Sequence, residues 1–83
     1  MSGESQNKAT LSSLAIGQSA TIEDVVGDDS LVQRLMEFGL TTGEKITVLR
    51  FAPLGDPIEI RVRGYNLSLR RMEAQAILIG MIE

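Results

Sequence analysis

The tightest constraint on this chain lies between residues 58 and 70. There Ile58, Ile60 and Val62 alternate strictly with Glu59, Arg61 and Arg63, Gly64 interrupts, and Tyr65, Leu67 and Leu69 resume against Asn66, Ser68 and Arg70. A period of two is the repeat of an extended strand, so one face of this stretch is apolar and the other is wet, and Gly64 marks a tight turn or sharp bend between two strands. Such a half-buried pair needs a layer to cover its apolar face, and the whole chain has only 83 residues to provide it. A polypeptide of that size buries roughly 60 to 65 % of the surface exposed when unfolded, enough for one core but not for a deep, water-excluding pocket. A groove or flat patch is the binding feature to expect.

The remaining segments supply further strands. Lys45 to Phe51 places Ile46, Val48 and Arg50 against Thr47, Leu49 and Phe51, so both faces carry apolar groups and the strand is expected to be covered on both sides for part of its length. Ser19 to Val26 alternates until its register slips near the end, which a β-bulge before Gly27 explains, and Ile77 to Ile82 reads as a last strand able to close the sheet on itself. One helix is expected over 31–38, where Leu31, Leu35 and Phe38 recur at helical spacing. Ser30 followed by Gln33 matches a capping box, Asp28 and Asp29 favour the positive end of the helix dipole, and Gly39 with Leu40 fits a Schellman stop. Leu11, Leu14 and Ile16 form an apolar entry clip before Gly17, and 70–76 allows a single helical turn before the last strand. Residues 1–10 carry no apolar period and read as a flexible tail, leaving 11–83 as the domain. The expected fold class is mainly β: about five short strands in a small barrel, one short α-helix after the first strand and a helical turn before the last.

Composition narrows function by exclusion. With neither Cys nor His, the chain has no thiolate or imidazole for a zinc site or a Ser-His or Cys-His nucleophile pair, and it has no disulfides. No secretory signal pattern opens the sequence, and the apolar run 76–82, broken by Gly80, is far shorter than the roughly 20 residues of a spanning helix, so a soluble cytoplasmic chain is expected. A formal net charge of −3 argues against general binding to DNA or RNA, whose affinity rests on Lys and Arg neutralising phosphates. No catalytic residue, cofactor site or metal site is expected.

Several side chains invite a sharper reading. Asp24, Asp28 and Asp29 are potential oxygen donors for a hard cation, but helix capping already accounts for the last two. Met36, Met72 and Met81 are expected as gap-fillers in the core rather than as soft metal ligands. Asp56 and Glu59 are close enough in sequence to suggest an acid–base pair, yet no nucleophile or oxyanion donor accompanies them. Arg61, Arg63, Arg70 and Arg71 would make a cationic patch if their strands are neighbours, with Glu59 and Glu73 as the available counterions. Leu54 stands between Pro53 and Gly55 in the loop 52–57, as either an inward plug or a preorganised apolar finger for a partner.

Taken together, Leu11-Ser12-Ser13-Leu14 with Gly17-Gln18, the run from Leu35 to Glu44, Ala52 to Pro57, and Tyr65 to Arg70 resemble the FeoA family of ferrous iron transport accessory proteins. Where FeoA-like sequences often have Leu before the helix-ending glycine, this chain has Phe38, which keeps an apolar contact. The resemblance implies an SH3-like barrel, a bacterial cytoplasmic location and association with the membrane GTPase transporter FeoB. The same barrel occurs as the C-terminal domain of DtxR-type repressors, so a regulatory protein-binding module is the alternative. In either case the expected partner contacts are Leu54 and Asp56 in the loop, Arg34 and Glu37 on the helix, and Arg61 and Arg63 on the barrel face.

Overall fold

A computed structural model describes residues 9–83. Five antiparallel strands form one sheet: β1 (Ser19–Val25), β2 (Lys45–Phe51), β3 (Ile58–Val62), β4 (Tyr65–Leu69) and β5 (Ile77–Gly80), in the order β4-β3-β2-β1-β5. Helix α1 (Asp29–Glu37) follows β1, and the four-residue α2 (Arg71–Ala74) precedes β5. The mainly β class is therefore as expected.

The hairpin that constrained the sequence forms in the register its alternation requires. Val62 pairs with Tyr65 and Ile58 with Leu69. The two residues between, Arg63 at φ 53° and Gly64 at φ 86°, both have the positive φ that a type I′ turn needs. Ile58, Ile60, Val62 and Leu69 are buried.

Two bulges resolve the irregular alternation of the other strands. The β1–β5 register shifts between Ile22 and Asp24, so Glu23 is pushed out and Val25 returns to face Ile77, as the slip in the sequence implied. The β2–β3 register shifts between Val48 and Arg50. Leu49 is the extra residue, and the shift turns Phe51 back towards Ile58 and the core while Arg50 faces out opposite Glu59. The doubly apolar pattern of β2 thus reflects a bulge, and only Ile46 and Val48 of the strand are fully buried.

The core gathers Leu11 and Leu14 of a 3-10 turn (Leu11–Ser13), Leu35 and Leu40 around α1, Ala74 of α2 and the inward side chains of all five strands. The sheet curls so that Leu69 of β4 and Ile77 and Ile79 of β5, its two outer strands, enter the same cluster. Both outer strands thus contribute side chains to one core. The outer edge of β5 is met by the Thr10–Leu78 bridge and by Ile79 N–H donating to Ala9 O at 3.0 Å. Ordered pairing therefore starts before Leu11, and the rest of the expected tail, 1–8, lies outside the described residues. The last strand is shorter than expected: Met81 takes φ 50°, and pairing resumes only where Ser19 and Glu83 exchange backbone hydrogen bonds of 3.1 and 2.7 Å.

The helix stop follows the sequence signal and its start does not. Gly39 at φ 89° donates to Met36 O at 2.9 Å, and Leu40 donates to Leu35 O at 3.1 Å, which together make the Schellman pair, with Leu40 buried. The N-cap is Asp28, whose Oδ1 accepts Leu31 N–H at 2.8 Å, so the Ser30–Gln33 capping box does not form and the helix begins earlier. An ionised carboxylate satisfies that amide and favours the dipole as well, an advantage Ser30 lacks. The expectation for the methionines also fails. Met36, Met72 and Met81 are 54, 68 and 77 % exposed. Branched Leu, Ile and Val already fill the interior, Met36 of α1 and Met72 of α2 face outward, and Met81 lies past the end of β5.

Candidate partner-docking surface

The loop 52–57 presents its apolar residue outward on a tied base. Ala52 N–H donates to Pro57 O at 3.0 Å and Gly55 N–H to Ala52 O at 2.7 Å, closing the loop beneath Leu54, which is 95 % exposed. The plug reading is thereby excluded. Asp56 does not pair with Glu59: its Oδ1 accepts Arg71 N–H at 3.0 Å and fastens the loop to the first residue of α2. Met72, the next residue, is exposed, so Leu54 and Met72 are carried by segments joined at that hydrogen bond. A shallow depression of about 360 Å³ opens at the loop's base, lined by Pro53, Pro57, Phe51, Arg50 and Glu59 among others.

Arg34 belongs to the same region. Its Nη2 lies 3.2 Å from Glu73 Oε2, which ties the exposed side of α1 to α2. Glu73 is itself buried, and its Oε1 accepts Arg70 N–H at 2.8 Å. Arg34, Leu54 and Asp56 are thus connected through α2.

The other expected contacts are placed elsewhere. Arg63 is at the hairpin turn, the end of β3 and β4 remote from the loop, and pairs with Glu44 at 3.2 Å. Arg61 lies on the outward face of β3 and donates from Nε to Asn66 Oδ1 at 3.3 Å. Glu37 is exposed in the last turn of α1, whose end abuts the hairpin through a hydrogen bond from Tyr65 Oη to Phe38 O. The four-arginine patch does not assemble, because Arg63 and the Arg70–Arg71 pair fall at opposite ends of the hairpin. The proposed counterions are engaged elsewhere, Glu59 with Arg50 at 2.7 Å and Glu73 with Arg34.

Among the described residues no group of three or more carboxylates converges as a metal would require, and no helix is long and apolar enough to cross a membrane. What this surface offers chemically is an apolar tip on a braced loop beside mixed charges. Sequence reasoning missed Glu73 as the pivot of this surface. Its signal was an acidic residue three places after Arg70, the spacing by which a carboxylate reaches back to the amide before a helix.

A family model for the FeoA domain matches residues 9–80. This chain belongs to the FeoA domain family. The Fe(2+) transport protein A/Fe(2+) transporter FeoB fusion protein of Porphyromonas gingivalis is 42 % identical over 72 residues, which are 87 % of this chain and 8 % of that protein. The FeoA domain described here therefore spans only a small part of that relative. The crystal structure of Stenotrophomonas maltophilia FeoA complexed with zinc, described as a procaryotic SH3 domain protein and candidate ferrous iron transport activating factor, aligns with a TM-score of 0.79 at 30 % identity, covering 90 % of this chain and 95 % of that one. The SH3-like character of the FeoA fold is accordingly seen here too. A manganese-dependent transcriptional repressor aligns with a TM-score of 0.82 at 18 % identity, covering 89 % of this chain and 36 % of the repressor, a likeness of fold alone.

Proposed function

We propose that this FeoA domain is a cytoplasmic accessory of bacterial ferrous iron uptake, which binds the membrane Fe2+ transporter and GTPase FeoB and modulates its nucleotide cycle or assembly by contact, without catalysis. The observation that carries the reading is Leu54, almost wholly solvent-exposed on a loop braced at Ala52–Pro57 and at Asp56–Arg71. An apolar side chain held out in this way loses little conformational freedom when a partner covers it. Family membership and the existence of a single polypeptide joining FeoA to FeoB in a relative give the partner's identity its support. Arg34 and Asp56 are linked to the loop that carries the apolar tip through α2, while Arg61 on the outer face of β3, Arg63 at the hairpin turn and Glu37 at the end of α1 offer partner contacts of their own, away from the loop.

The test is a pull-down of this chain with full-length FeoB and with its cytoplasmic portions, comparing wild type with Leu54→Ala and Arg61→Glu. Burial of a leucine contributes about 1.5–3 kcal/mol, so Leu54→Ala is expected to weaken capture by roughly tenfold or more. Absence of capture by folded wild type would remove this reading and leave a regulatory protein-binding module, of the kind the repressor fold houses, as the alternative.

A further inference from the structure

A second recess lies apart from the Leu54 loop, beside the helix. It encloses about 320 Å³ and its lining includes Val32 and Met36 of α1, Val25 of β1, Leu40, Thr41 and Asp24. Leu40 is fully buried and forms apolar floor, whereas Met36 is more than half exposed on the wall. The opposite wall is held in place: Thr42 Oγ1 donates to Glu23 O at 3.3 Å, and Gly43 N–H donates to Ile22 O at 2.8 Å. A flexible, polarisable methionine facing a fixed wall suits an apolar side chain whose shape is not narrowly specified.

The charge around this recess has one sign. Asp24 lines it directly. Asp29 precedes Val32 by three residues and so projects from the same face of α1. Among the described residues no Lys or Arg lines it: Arg34 turns to Glu73, Lys45 to Glu83, Arg50 to Glu59 and Arg63 to Glu44. The helix thus presents Arg34 towards α2, while Asp29 stands about one turn before the recess-lining Val32.

We propose that this recess is a second docking site, which takes one apolar side chain from a partner-protein segment bearing Lys or Arg on either side of it. The apolar floor and Met36 hold the anchor, and Asp24 and Asp29 select basic flanks and repel acidic ones. An anionic lipid surface is disfavoured by the same charges. The exposed finger of a second copy does not fit either, because Leu54 is flanked by Pro53, Gly55 and Asp56 and carries no basic neighbour in its loop.

The test is an NMR titration of the full chain, labelled with 15N, using three synthetic peptides: acetyl-Lys-Lys-Leu-Lys-Lys-amide, the same peptide with Gly in place of Leu, and the same peptide with Glu in place of each Lys. The Lys/Leu peptide is expected to shift the amides of Val32, Met36, Thr41 and Thr42, to bind at least about tenfold more tightly than the other two, and to weaken with added salt. Asp24→Lys should reduce that affinity by roughly tenfold, and Glu83→Lys, an equal change of charge outside the recess, should leave it unaltered. Equal binding of the Gly peptide, shifts centred elsewhere, self-association in place of peptide binding, or no saturable binding would each overturn the proposal. The peptide comparison on wild type stands even if Asp24→Lys does not fold. Because it contains no transporter, its failure is distinct from failure of FeoB capture.

Discussion

Arg34 and Glu73 join the two helices of this domain across an ion pair of 3.2 Å whose partners differ sharply in environment: the arginine side chain is 60 % exposed and the glutamate 6 %. The buried carboxylate divides its two oxygens between Arg34 and the Arg70 amide. Glu73→Ala removes both interactions and leaves the Arg70 amide without its side-chain acceptor, so it is expected to destabilise the fold by about 1–3 kcal/mol. Arg34→Ala should cost less, about 0–1 kcal/mol, because water reaches the side from which the arginine approaches. Urea denaturation of the two variants gives the order directly, and an equal or larger loss for Arg34→Ala would show that the ion pair, not the helix-start hydrogen bond, dominates.

Tyr65 stands at the junction of the hairpin and α1, donating its hydroxyl to Phe38 O. That carbonyl is one of the acceptors a helix leaves without an intrahelical donor at its C-terminus. Tyr65→Phe keeps the ring and deletes only this bond, so a loss of about 0.5–1.5 kcal/mol is expected, with the dependence on denaturant concentration unchanged. A stability equal to wild type would mean that water replaces the hydroxyl there without cost.

Gly39 and Gly43 share a left-handed backbone, at φ 89° and 95°, but differ in their surroundings. A Cβ at Gly39 would lie 3.0 Å from Tyr65 Oη and 3.1 Å from Arg63 Cδ, whereas one at Gly43 would meet nothing within 4 Å. Backbone strain of about 1–2 kcal/mol therefore applies to Gly43→Ala, and Gly39→Ala adds the displacement of the Tyr65 and Arg63 side chains. Thermal unfolding should place Gly39→Ala lower in Tm than Gly43→Ala. Were the two to melt together, the hairpin would be shown to yield freely at that contact.

Much of this fold was legible because its signals are local. The strict alternation of 58–62 and 65–69 and the Gly39-Leu40 stop each specify geometry within a few residues, and each appears as read. The slip in β1 was legible as a bulge for the same reason, whereas the bulge at Leu49 was hidden because apolar residues on both sides of it look like two covered faces. Exposure of the methionines was not legible, since sequence does not say whether a core is already filled by branched side chains. At the candidate site, the loop was visible from its prolines and glycine, but its attachment was not. The Asp56–Arg71 and Arg34–Glu73 links are contacts between segments distant in sequence, and no periodicity encodes them. The Arg63–Glu44 pair escaped notice for that reason too.

Leu54 and Leu35 offer the sharpest separation of binding from folding. Leu35 is fully buried against the core, and Leu35→Ala should cost about 2–5 kcal/mol through lost burial and the cavity left behind. Leu54 is 95 % exposed and contributes almost no burial to the isolated fold, so Leu54→Ala should change unfolding stability by no more than about 0.5 kcal/mol. If the loop tip is a docking element, the same substitution must then weaken FeoB capture in full, at unchanged Tm. Denaturation and capture measured on one preparation decide the matter: a loss of capture that tracks a loss of stability would assign Leu54 to folding, and a stable variant with undiminished capture would move the docking surface away from the 52–57 loop.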